Sequence, residues 1–219
     1  MVTTGFSKPY VAEYKTTAGA ASNTYENGML LGRGVNNTFE VDSGEDNNFY
    51  CDNIVGETAE AQFTSGAGTV TVDGLEPAAA TLILGLPTPI SFEVGEEPVQ
   101  LQGYAGMKNP YVGYGYIRRT MMHGVTGYWP VIHPKVRFKI PNDSAATQEA
   151  TIDWQTQELT ATILRDDTAK NEWKYTTSES FETEAEAEAV LKAYFNVTDP
   201  TSAMSRVQAE SAPVGGDEG

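Results

Sequence analysis

A chain of 219 residues is long enough to close one full hydrophobic core, and its 30 acidic against 14 basic side chains (net charge −16) exclude a nucleic-acid grip built on replacing phosphate counterions. A single cysteine, Cys51, excludes an internal disulfide and fits a reducing cytoplasm. The opening MVTTGFSKPY has no apolar run of signal-peptide kind, and no later stretch is long enough to span a bilayer, so no membrane partner is expected.

Residues 1–8 read as an N-terminal arm, 9–198 as one domain, and 199–219 as a flexible acidic tail, since the Ser, Ala, Gly and acidic composition after Asp199 cannot bury a core. Within the domain, period-two alternation recurs, the mark of half-buried strands. Phe39 and Val41 alternate with Thr38, Glu40 and Asp42, so the two apolar residues are expected inward and the two acids outward. Ala59, Ala61 and Phe63 alternate with Glu60 and Gln62 in the same way. Val136, Phe138 and Ile140 alternate with Arg137 and Lys139. Ile152 and Trp154 lead, past a slip near Glu158, to Leu159, Ala161 and Ile163. Asn36-Asn37, Asp42 to Asn48, Gly66 to Gly68, Gly103 to Pro110 and Asn142 to Ser144 read as turns between strands, and without secretion the sequons at Asn36, Asn142 and Asn196 are turn chemistry by default.

Two helices interrupt this pattern. Leu75, Ala78, Ala79, Leu82, Ile83 and Leu86 form an apolar stripe at helical spacing, with Asp73 and Glu76 as a capping pair, Pro77 in the first turn and Gly85 then Pro87 at the end. From Glu184 to Phe195 a second helix is predicted, with Thr183 and Glu186 as a capping box and Ala187, Val190, Leu191, Tyr194 and Phe195 as its packing stripe. Glu188 and Lys192 then pair on its wet side. The expected fold is mainly β, a two-sheet antiparallel sandwich or barrel flanked by one or two α-helices.

Charge is sorted along the chain. Gly34 to Met107 carries twelve acids and no Lys or Arg, whereas Pro98 to Asn142 carries Lys108, Arg118, Arg119, Lys135, Arg137 and Lys139 and no acid. A subunit with one acidic and one basic surface can bind a copy of itself and still repel polyanions from the acidic side.

Enzyme motifs are missing. His123 and His133 have no partner at metal-ligand spacing, and there is no nucleophile elbow, phosphate loop or dinucleotide fingerprint. Cys51 follows Phe49 and Tyr50 with no nearby base and reads as buried filler. The run Asp42 to Asn48 has oxygen donors for calcium but not the EF-hand order, and hairpin-loop solvation describes it better. No cofactor or metal is therefore expected, and a two-carboxylate hydrolase is the weakest reading. The Tyr- and Gly-rich segment Gly103–Arg119 suits a protein–protein interface, where Tyr and Arg supply adaptable contacts. The same rings could instead serve a β-sandwich carbohydrate-binding or adhesin-type module, which is the alternative function.

Five pieces in order carry a family resemblance: Lys8-Pro9-Tyr10, Phe49-Tyr50-Cys51-Asp52-Asn53, the stretch Glu57 to Phe63, Val72-Asp73-Gly74-Leu75, and the helix opening Phe181 to Ala187. Over roughly Gly5 to Val197 the chain resembles the major tail proteins of long-tailed phages of Gram-positive bacteria. Nothing after Asp199 matches, and there is no room for the C-terminal immunoglobulin-like domain of some relatives. The resemblance implies a structural virion protein, assembled in the host cytoplasm, whose hexameric rings stack into a tail tube. Its implied partners are further copies of itself, the tape measure protein, and the tail terminator and distal tail proteins, with DNA as a transient cargo. One sheet of each subunit would then line the lumen, with Val35–Asp42, Phe49–Ile54, Thr58–Val72 and part of Gln148–Leu164 as the inner wall. Glu40, Asp42, Asp52, Glu57 and Glu60 are the expected lumen-facing acids. Lys108, Tyr111, Tyr114, Tyr116, Arg118, Arg119, Arg137 and Lys139 are the expected contacts between subunits.

Overall fold

The structure is a computed structural model that describes residues 1–95, 97–105, 107–141 and 156–197. One antiparallel sheet dominates it. Its strands run in the order β2 (Tyr25–Leu30), β1 (Val2–Tyr14), β9 (Val112–Met122), β10 (Val125–Phe138), β11 (Gln157–Leu164), β6 (Ser65–Val72) and β3 (Gly34–Asp42), with β12 (Tyr175–Thr176) beside β10. Two hairpins stand apart from it, β4 (Asn47–Cys51) with β5 (Ile54–Ala59) and β7 (Ile90–Val94) with β8 (Glu97–Leu101). The helices are α1 (Pro77–Leu84) and α2 (Glu184–Tyr194). The expected mainly β, antiparallel class is the observed one.

The sheet curls until the Phe6 ring of β1 meets Gly34 of β3. Its inner face is filled by residues such as Val11, Tyr114, Phe138, Leu159 and Ile163, and α1 lays Ala79, Ile83 and Leu84 on the same core. On the outer face, α2 covers β1, β9 and β10 through Ala187, Leu191 and Phe195. The capping box forms as the spacing predicts, with Thr183 accepting from the Glu186 amide and Glu186 reaching back to the Thr183 amide. Glu188 and Lys192 pair at 3.5 Å, but Glu188 also accepts from the Tyr10 hydroxyl at 2.7 Å and faces Lys8, so this pair points at β1 and not at open water.

Alternation is obeyed where a strand is covered. Leu159, Ala161 and Ile163 are fully buried, as are Val136 and Phe138, while Ile140 lies beyond the end of β10 and is 57% exposed. Several expectations are corrected. Residues 2–7 are no free arm, because Val2 to Ser7 pair with Met121 to Ile117 of β9. Asn36-Asn37 and Gly66 to Gly68 lie inside β3 and β6, not in turns; the glycines leave room for the Ile163 and Phe39 side chains opposite them. Ala59 to Phe63 is no core strand, since β5 ends at Ala59 and Phe63 is held from a loop by stacking on Trp173 at 4.6 Å. Asp73 does not cap α1, because its carboxylate is taken by the Arg33 amide at 2.9 Å and by the Arg33 guanidinium; Glu76 occupies the N-cap without a side-chain bond. Cys51 is exposed, not buried. The expected turn at Asn142 to Ser144, the expected strand residues Ile152 and Trp154, and the expected tail 199–219 lie outside the described residues.

Candidate assembly surfaces

Strands β11, β6 and β3 lie side by side, and the residues of their outer face are exposed or half-exposed. The register aligns Thr160, Thr69 and Thr38 in one cross-strand row and Thr162, Ala67 and Glu40 in the next. A third row brings Glu158, Thr71 and Asn36 together. The opposite parity, Ala161, Gly68 and Phe39, points inward, with the Phe39 ring 5.9 Å from Tyr114 and 5.2 Å from His133. β-branched threonines suit a pleated surface, which explains why these strands hold without an apolar outer face. On β11, β6 and β3 these rows hold Thr, Ala, Asn and two carboxylates and no Lys or Arg. On the adjoining β10 the exposed Arg137 pairs with Thr162 and continues the second row. β3 is also the terminal strand of the sheet, so much of its outer edge offers main-chain groups to another strand.

The expected lumen acids divide between two places. Glu40 and Asp42 lie on β3, both exposed, and the Asp42 carboxylate accepts from the Gly44 amide at 3.0 Å. Asp52 sits with Asn53 at positive φ in the two-residue turn of the β4–β5 hairpin, and Glu57 and Glu60 follow on the same hairpin and just after it. Asp46 accepts from the Ala61 amide at 2.7 Å, so the Asp42–Asn48 oxygens serve the turn itself. Of the described acids between Gly34 and Met107, only Asp73 has an ion pair. Among the described residues no three His, Cys, Asp or Glu side chains converge as metal ligands would. Both hairpins are exposed along nearly their whole length, and Phe49, Tyr50, Ile54, Ile90, Val94 and Leu101 are each more than half exposed. Paired strands without a covered face are marginal alone, and exposed apolar patches of this kind are the surfaces on which contacts form in other proteins.

The expected contact residues separate more sharply. Arg119, Arg137 and Lys139 are exposed, Lys108 lines a groove beside α1, and Tyr111 lies under Lys135 and Arg137 at 4.5 and 4.2 Å. Lys135 is engaged by Asp167 at 2.8 Å within the same chain. Tyr114 must be withdrawn as a contact residue, because it is fully buried with its hydroxyl donating to Asn37 at 3.2 Å. Tyr116 and Arg118 are half-buried on the same face of β9. The Tyr and Gly alternation therefore has a different meaning from an interface. Tyr114 and Tyr116 point into the core, while Gly113 and Gly115 leave space for the Phe195 ring at the end of α2; a Cβ there would sit 2.6 and 2.5 Å from that ring.

Two features escaped sequence reasoning. His133 is buried in a stack with Tyr114, Tyr116 and Trp173, and its Nδ1 lies 3.3 Å from the Trp173 carbonyl oxygen. Burial, with a smaller contribution from Lys174, lowers its pKa to about 4. Asp166, also buried, accepts five hydrogen bonds, from the Thr168 amide and hydroxyl, the Glu172 amide, Asn23 Nδ2 and the Tyr175 hydroxyl. Only the Asp166-Asp167-Thr168 turn chemistry hinted at the second of these. No family model matches this chain, and no curated protein matches it in sequence. No described helix is long and apolar enough to cross a membrane.

Proposed function

We propose that this chain is a tail tube protein whose copies join through sheet edges into rings, with the outer face of β11, β6 and β3 turned to a central channel. The observation that carries the reading is the outer face of β11, β6 and β3, whose own residues are threonines and carboxylates without Lys or Arg, beside an open strand edge. A conduit for DNA needs such a wall, because each basic contact would hold phosphate and slow transit. The exposed apolar hairpins supply surface for neighbouring copies, and the sequence resemblance points to the same assembly. The competing recognition-module reading put its site on the Tyr/Gly segment, where of the tyrosines only Tyr104 is more than half exposed.

Electron microscopy of the concentrated protein tests assembly, with rings or tubes expected and dispersed monomers counting against it. Glu40→Lys with Glu158→Lys tests the channel. Both sites are exposed, so stability should change by only about 0.5 kcal/mol at each. Tubes should form, and DNA delivery by particles carrying them should slow. Delivery at the normal rate would show that these carboxylates do not line the path.

A further inference from the structure

We infer that Arg118 and Lys174 together form a receptor for one carboxylate supplied by a second copy of this chain. The inference rests on the assembly reading above and names a contact within it. The β-sheet register sets Phe6, Arg118 and Trp129 in one cross-strand row, so the guanidinium stem lies between two aromatic side chains on the same face. Its Nε is enclosed and makes no hydrogen bond. Lys174 approaches from the segment before β12, half-buried, with Nζ 5.7 Å from the centre of the Trp173 ring.

Neither cation is in an ion pair with any described residue, although acids outnumber bases two to one in this chain. The titratable groups around them are Tyr116 and His133, and both are uncharged at neutral pH. Burial first and the like charge of Arg118 second lower the pKa of Lys174, and no described residue supplies a counter-ion to either cation. Desolvated cations left unpaired are costly, and a buried donor without an acceptor calls for a specific explanation. A carboxylate fits, since it can accept from the guanidinium and the ammonium at once. Further copies of the chain offer many. Asp52, Glu57, Glu93 and Glu97 on the two hairpins are exposed and lie in no ion pair.

The test compares wild type with Arg118→Gln, Lys174→Gln and the double variant, by sedimentation at low and high salt and by thermal melting of the isolated subunit. The double variant should need at least about tenfold more protein to associate at low salt, and its association should lose most of its salt dependence. The isolated variant subunits should melt no lower than wild type, because a repulsion has been removed. A lower melting temperature in both single variants would assign the pair a structural role and overturn the inference. Unchanged association in the double variant would overturn it while leaving the tube reading intact. A chain that stays monomeric at every concentration would remove both. Titration with sodium acetate supplies the remaining arm. Saturable binding that raises the Lys174 pKa in the monomer, with association unaffected by acetate, would make the ligand a free anion and not a second copy.

Discussion

His133 ties the stability of this fold to pH in a window where few other groups titrate. In the folded chain its pKa is about 4, against 6.5 for an unperturbed imidazole. As pH falls through 6.5 the unfolded chain takes up a proton that the folded chain refuses until about pH 4, so acid favours unfolding. Stability is fully present above the unfolded value and drains away on the way down. From about pH 7 to about pH 5 the loss is about 2 kcal/mol, approaching about 3 kcal/mol once both states are protonated. Stopping near pH 5 keeps most carboxylates ionised. The perturbation is His133→Asn, whose amide can still donate to the Trp173 carbonyl but cannot titrate. Urea denaturation at a series of pH values, followed by tryptophan fluorescence below the association concentration, reads the effect. Wild type should lose about 2 kcal/mol across the window, and the variant should lose little beyond its constant offset. Equal pH slopes in the two proteins would refute the burial account of His133.

Gly115→Ala should cost about 1–3 kcal/mol by driving a methyl into the Phe195 ring, with Phe195→Leu recovering part of it in equilibrium denaturation. Asp166→Ala should cost about 3 kcal/mol or more, since five donors lose one acceptor; hydrogen exchange should show the Thr168 and Glu172 amides opening first. Thr183→Ala should cost about 1 kcal/mol through loss of the α2 cap, and Thr183→Ser should restore it by thermal melting.

Period-two spacing determined which residues of β11 share a face, and the structure buries Leu159, Ala161 and Ile163 accordingly. Local chemistry likewise determined the start of α2, because Thr183 and Glu186 satisfy backbone groups within one turn. The outward parity of Glu40 was legible for the same reason. What covers a face was not legible. Val41 obeys the same alternation as Phe39 yet stays 48% exposed, because the ring of Phe39 meets Tyr114 and His133 from across the curled sheet. Cys51, beside Phe49 and Tyr50, reads as buried filler, but it is exposed on a hairpin that pairs with no other strand among the described residues. Tyr114 and Gly115 show the limit most clearly. Their alternation fixes two faces, and only the arrival of Phe195, eighty residues later, decides that the glycine face receives a helix and the tyrosine face the core. Periodicity is a property of the strand alone, whereas burial is a property of the pair of surfaces that long-range folding brings together.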